Sequence, residues 1–276
     1  GFILTGNGLS VAGPLARSPE DLEIAMNVLA APQGQDEIAW SIKLPKPKVT
    51  DITKLKVAVW PEEKSAEVDE EINKLISDTA EDLRSAGANV ETVAPPFTFD
   101  EVDDIYSKLV HPIMSAGGDR ETLATADALA EELDDSDLSE LAKITRGVSL
   151  KARDYVVNNA RRHFIKQKWL KFFENYDVML SPVCAVPAFK HNHDPLIERT
   201  INVNGKEKQY WHTTIWAGPV VTANLPSTST PIGLTSSGLP VNLQIIGPYL
   251  HDLTCIEVAK MIRDLRGGFR IPPNFQ

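Results

Sequence analysis

Two cysteines in 276 residues, Cys184 and Cys255, are too few and too widely spaced for a disulfide framework. A reducing, cytoplasmic compartment is therefore the expectation. No apolar run approaches the roughly 20 residues that a membrane-spanning helix needs, and no signal-peptide pattern opens the sequence. Positive charge is in deficit: 28 Lys and Arg stand against 38 Asp and Glu, a net charge of −10 with a pI near 5.1. A surface that neutralises nucleic-acid phosphates is excluded on that balance. The basic residues that do gather, Arg161, Arg162, Lys166, Lys168 and Lys171, read as the solvated face of one helix. The Gly-x-Ser-x-Gly elbow of an α/β-hydrolase is also missing.

What is present is an ordinary globular composition, 42% hydrophobic and 24% charged, long enough for one large domain or two lobes. Near the start, Gly13-Pro14 breaks the chain and a helix begins: Ser18 is a natural N-cap, Pro19 suits the first helical position and Asp21 completes a capping box. Leu22, Ala25, Met26 and Leu29 follow at the spacing of a helix buried on one face, predicted over 19–31. A Pro/Lys-rich linker runs through Pro47. Leu55–Trp60 then reads as a strand, Val68 to Leu83 as a helix closing at Gly87, and Asn89–Val93 as a second strand. Strand, helix and strand within about 40 residues imply a parallel pair with a right-handed crossover.

Residues 100–176 pattern almost wholly as helix. The acidic run Glu131–Asp137 lacks the spacing and turn glycine of an EF-hand and reads as solvated surface. A long helix over 149–176 carries Tyr155, Phe164, Trp169, Phe172 and Phe173, a set that suits core packing. A short strand over 177–182 leads into a long polar loop ending at Gln209. Trp211–Ala217 reads as helical, Ser227–Gly233 and Val241–Gly247 as two strands, the second buried on both faces, and Asp252–Leu265 as a closing helix capped by Asp252. The expected class is α/β, organised as a helix plus βαβ unit (1–97), a helical insertion (98–176), and a segment of sheet strands, loops and closing helix (177–276).

Several segments, in order, resemble the amidase-signature family. Gly13–Ser18 is similar to its Gly-Pro-x-Ala-Arg-Ser segment, and Tyr176–Pro182 to its Tyr-Asp-Val-Leu-Leu-x-Pro. Leu225-Pro226-Ser227-Thr228 and Gly238-Leu239-Pro240-Val241-Asn242-Leu243-Gln244 match its C-terminal signature, with Ser227 where Ala and Asn242 where Gly are usual. Ala188–Asp194, Trp216–Gly218, Gly267–Phe269 and Pro272-Pro273 resemble one bacterial subgroup. The implied fold is the C-terminal portion of that family's α/β fold, a mixed sheet covered by helices with a helical insertion.

The resemblance implies acyl transfer: a serine attacks the amide carbonyl, a second serine in a cis peptide relays the proton, a lysine is the base, and backbone N–H groups hold the oxyanion. In the family those groups lie upstream of the Gly-Pro-x-Ala-Arg-Ser segment. No Gly-Gly-Ser-Ser-Gly-Gly run is found here, so no catalytic residue is assigned, and no cofactor or metal is expected. The implied contribution is the far wall of a pocket for a small amide: Ser181, His191, His193, Trp216, Asn224 and Ser227. Arg17 is expected to pair with a buried carboxylate, and Cys184 to be a buried, inert thiol.

The leading expectation is thus an amide C–N hydrolase acting as part of a larger enzyme, with this chain inactive alone. Its partner would be the missing N-terminal portion or a second copy, since half a shared sheet leaves strand edges and apolar surface uncovered. The alternative is a non-catalytic binding or scaffold protein derived from the family. A third reading, ranked below both, takes His191-x-His193-Asp194 as zinc ligands of a metal-dependent hydrolase.

Overall fold

A computed structural model describes residues 8–273. The outermost ends of the first and last predicted segments, 1–7 and 274–276, lie outside the described residues. The βαβ unit forms as its pattern predicts. Strand β1 (Lys56–Val59) and strand β2 (Asn89–Thr92) pair in parallel, Lys56 opposite Asn89, joined by helix α2 (Glu70–Ser85). Asp69 caps α2 through the Glu71 N–H at 2.9 Å. Ile72, Ile76, Thr79, Ala80 and Leu83 are buried at intervals of three and four, which turns one stripe of the helix onto the sheet. Gly87 ends it at φ +99°, where a side chain would be strained.

The main sheet runs β2-β1-β3-β7-β6. Strand β3 (Val178–Pro182) is parallel to β1 and buried throughout. Strands β6 (Ser227–Leu234) and β7 (Pro240–Ile246) complete it in antiparallel pairing. The β7 expectation needs correction at its start: Asn242 points out and donates to Ser229 Oγ at 3.1 Å, and only Leu243–Ile246 is buried on both faces. At its centre Gln244 is buried among aliphatic neighbours. Its Nε2 donates to Pro182 O (2.8 Å) and Trp216 O (3.1 Å), and its Oε1 accepts from Ser227 Oγ (3.1 Å).

Helices α3 (Phe99–Ser115), α4 (Arg120–Glu132), α5 (Glu140–Val148) and α6 (Ala152–Phe172) form the central helical stretch. Phe97, Phe99, Trp169, Phe172 and Phe173 meet Trp60 and Trp216 in an aromatic cluster; Trp169 stacks on Phe173 at 5.3 Å. Phe164, assigned to that core from spacing, instead faces solvent. The acidic run is an ordered corner: Asp134 and Asp137 accept from the Ser136 and Ser139 N–H groups, and Arg146 donates to both Asp134 O and Asp137 O.

The polar loop after β3 holds structure that composition concealed. Strands β4 (Thr200–Val203) and β5 (Lys206–Gln209) form a hairpin across Asn204-Gly205, both at positive φ. Asn-Gly is the pair that a two-residue turn of this kind favours, so the signal was in the sequence. A 3-10 helical segment (Tyr210–Ala217) follows, then helix α7 (Gly218–Ala223), which ends at Asn224 with φ +56°. Helix α8 (Asp252–Arg266) closes the fold; His251, not Asp252, is the residue before its first turn.

Helix α1 (Pro19–Leu29) has the expected Ser18 cap on the Asp21 N–H at 3.2 Å. It sits on α8 through Glu20–Arg263 (2.6 Å) and Glu23–Lys260 (2.7 Å). Its apolar stripe is only partly covered, and Ile24, Val28 and Leu29 are exposed. Among the described residues Arg17 finds no buried carboxylate; its guanidinium lies over the Phe269 ring at 5.4 Å.

Candidate functional site

Ligand sites in α/β sheets gather at the carboxyl ends of parallel strands. Here the segments leaving β1, β2 and β3 enclose two hollows. The first, about 580 Å³, lies under the loop after β3 and the β4–β5 hairpin. Phe189, Lys190, His191, His193 and Tyr210 line it, with Asp69 from the start of α2. The two histidine rings stand 6.3 Å apart and tilted, and the Tyr210 ring carries Phe189 on one side and the Arg199 guanidinium at 5.8 Å. Asn192 Oδ1 takes the Asp194 N–H. Among the described residues no three His, Cys, Asp or Glu side chains converge as a metal site would require.

The second hollow, about 300 Å³, lies between α3, α5 and Tyr210–Ala217. Its charge is concentrated. Lys143 Nζ pairs with Asp103 at 2.5 Å, both side chains mostly shielded from water. Glu140 sits beside them, its carboxyl pushed up to about 7 by burial and then by Asp103, against the pull of Lys143 and Lys208. His111 and His212 are held below the ordinary imidazole value by burial. His212 Nε2 donates to Glu67 O at 2.8 Å, which fixes its tautomer, and Trp211 stands edge-on to His111 at 6.4 Å. The Tyr106 phenol is pushed up by burial.

Close approach of α3 and α5 makes this hollow. Gly147 permits it: a Cβ there would lie 2.8 Å from His111 Cβ and 2.9 Å from Ser107 O. The result is a polar recess holding a carboxyl neutral or charged near pH 7, a cation paired with a carboxylate, and two neutral imidazoles. Such a set has the chemistry to orient a small polar ligand and to exchange protons with it.

Of the six pocket residues expected from sequence, His191 and His193 line the first hollow. Ser181 is fully buried within β3, its Oγ 3.3 Å from Pro182 O. Trp216 is a core residue whose Nε1 donates to Ala66 O at 3.1 Å. Ser227 lies on the exposed start of β6, bonded to Gln244. Asn224 is engaged by Arg162 and Lys166 on another face. Cys184 corrects a further expectation: it is exposed, and Cys255 is the buried thiol. Asp103, His111, Glu140, Lys143 and Trp211 were missed, because they come from three separated segments without a shared motif. Gln244 alone left a trace, a polar residue inside an apolar strand.

Comparison with known proteins agrees with the resemblance drawn from the sequence. The Amidase family model matches residues 1–256, and the chain belongs to that family. It is 30% identical over 304 residues to the A subunit of the glutamyl-tRNA(Gln) amidotransferase of Exiguobacterium sp., covering 99% of this chain and 58% of that protein. The same protein of Geobacillus sp. is 29% identical, with 94% and 55% covered. Among solved structures, the Thermotoga maritima member of that amidotransferase group superposes with a TM-score of 0.66 at 19% identity, covering 91% of this chain and 52% of that one. A bacterial aryl acylamidase of the amidase-signature family gives 0.63 at 22% identity, with 92% and 52% covered. The fold is therefore that of amidase-signature enzymes, and the chain spans about half the length of these relatives.

Proposed function

We propose that this chain is the substrate-binding portion of a carboxylic-amide hydrolase whose nucleophile and oxyanion loop come from a covering portion. The carrying observation is the second hollow, where Asp103, Lys143 and Glu140 converge between α3, α5 and Tyr210–Ala217. Lys143 and Asp103 give opposite charges for the two ends of a polar amide, and Glu140 is poised to exchange a proton near neutral pH. His191 and His193 would then form the outer rim. The covering portion would pair with β6, one of the two edge strands of the sheet among the described residues, and shield Ile24, Val28 and Leu29 of α1.

Mixing tests this reading. The chain alone should not hydrolyse a panel of primary amides. Added to the N-terminal portion of an intact family member, it should restore turnover, and Lys143→Ala in this chain should raise KM in the mixture about tenfold or more. Turnover by this chain alone, abolished by mutating one of its own serines, would overturn the proposal.

A further inference from the structure

Helix α6 carries the basic residues that the sequence assigns to a solvated face, and the structure divides them. Arg161 pairs with Asp104 at 2.8 Å and Lys168 with Glu101 at 3.0 Å. Arg162 and Lys166 turn inward. Arg162 is 5% exposed, and its guanidinium donates to Thr222 O (2.6 Å), Gly8 O (2.5 Å) and Asn224 Oδ1 (2.6 Å). Lys166 Nζ donates to the same Asn224 Oδ1 at 2.5 Å, and Asn224 Nδ2 donates back to Gly8 O.

Two cations therefore converge on one neutral amide oxygen. Among the described residues neither forms an ion pair with a carboxylate, although their neighbours on the same helix do. Residues 1–7, which lead into Gly8, contain no Asp or Glu. A buried guanidinium normally finds a carboxylate or phosphate, because neutral carbonyls do not offset its desolvation or the repulsion of a second cation. Burial lowers the Arg162 guanidinium from its ordinary value; burial and then Arg162 lower the Lys166 ammonium. Both directions are those of cations lacking a counter-ion.

We propose that Arg162, Lys166 and Asn224 form an oxyanion-binding site whose occupant is a carboxylate absent from this chain. Its place beside the carbonyl of Gly8 puts it where the chain enters the described fold. An acidic side chain of the covering portion and a free small acid are the two sources of the same chemistry. In either case the anion would lock α6, the turn after α7 and the entering segment together. The five donor groups of the Arg162 fork suit such a bridging task better than a lysine would.

Thermal unfolding of the purified chain with increasing sodium phosphate, at ionic strength matched by sodium chloride, reads out the site. Saturable stabilisation by phosphate beyond chloride is expected. Lys166→Gln should weaken the phosphate midpoint at least tenfold, while Lys171→Gln, which removes an exposed charge from the same helix, should leave it unchanged. Arg162→Gln is a poor probe because it removes a donor from Thr222 O, Gly8 O and Asn224 Oδ1 at once and risks unfolding. Equal responses to phosphate and chloride, or an unaltered response in Lys166→Gln, would overturn the site. The two sources separate on adding the covering portion: a side-chain occupant abolishes the phosphate response, and a free acid leaves it intact. Only this last arm rests on the proposed function.

Discussion

Replacing Glu140 with Gln removes one proton-binding group from the recess between α3 and α5 while keeping its shape. In the folded chain that carboxyl titrates near 7, against an ordinary value of 4.5. Between those values the folded state binds the proton and the unfolded state releases it. Stability contributed at this site therefore falls as pH rises from 4.5 to 7 and is level above that. The full difference, at about 1.4 kcal/mol per unit, is roughly 3 kcal/mol. Solvent at the mouth of the hollow reduces it, to about 1–3 kcal/mol. His111 and His212 act in the opposite sense, since buried neutral imidazoles lose stability as pH falls below 6.5. Their contribution is common to both proteins and drops out of the comparison. Urea denaturation at intervals from pH 5.5 to 8.5, above the pI, gives the free-energy difference between Glu140→Gln and the parent. It should grow in favour of the variant by about 1–2 kcal/mol across that range. A difference that does not change with pH, or one that favours the parent at pH 8.5, would refute the reasoning.

Gly147→Ala sets two effects against each other: a helical glycine-to-alanine change gains about 1 kcal/mol in propensity, but overpacking against His111 and Ser107 costs about 1–3 kcal/mol. Net destabilisation and a lowered Tm are expected, and a stabilised variant would show that α3 and α5 are not in tight contact there. Gln244→Leu takes the buried amide donor away from Pro182 O and Trp216 O and should cost about 1–3 kcal/mol in urea denaturation; a neutral outcome would mean that water or a shifted backbone replaces the amide. Trp216→Ala removes the fully buried indole from between Trp60 and Phe99 and should cost about 3–5 kcal/mol, read as a lowered urea midpoint.

Local physics explains why the βαβ unit was legible. Its first strand is an apolar run stopped by Pro61, and its helix has an unbroken 3–4 spacing from Ile72 to Leu83 and ends at Gly87. Each of those signals acts within one segment. The same spacing misled for Phe164 and for Leu29. Periodicity identifies a helix face but does not say whether anything covers it, and both residues lie exposed. The β4–β5 hairpin was missed for the reverse reason: β5 (Lys-Glu-Lys-Gln) has no apolar residue and β4 alternates over only Ile201 and Val203, so the Asn204-Gly205 turn was the clearest mark.

The site was less legible because its chemistry is a product of packing. Asp103 and Lys143 are 40 positions apart and become an ion pair only because Gly147 lets α5 approach α3. Glu140 is an ordinary first-turn glutamate until burial beside Asp103 raises its carboxyl. Residue type and position drew attention to Trp216 and Ser181, read from the sequence as lying on loops next to strand ends, yet both are committed to the core. Gln244 joins the two outcomes: by holding Pro182 O and Trp216 O at once, it ties the end of β3 to the segment that carries Trp211 and His212 into the hollow. The family's signature strand therefore acts on the recess from behind. Substitutions along it should alter ligand binding through the position of Tyr210–Ala217 rather than through contact.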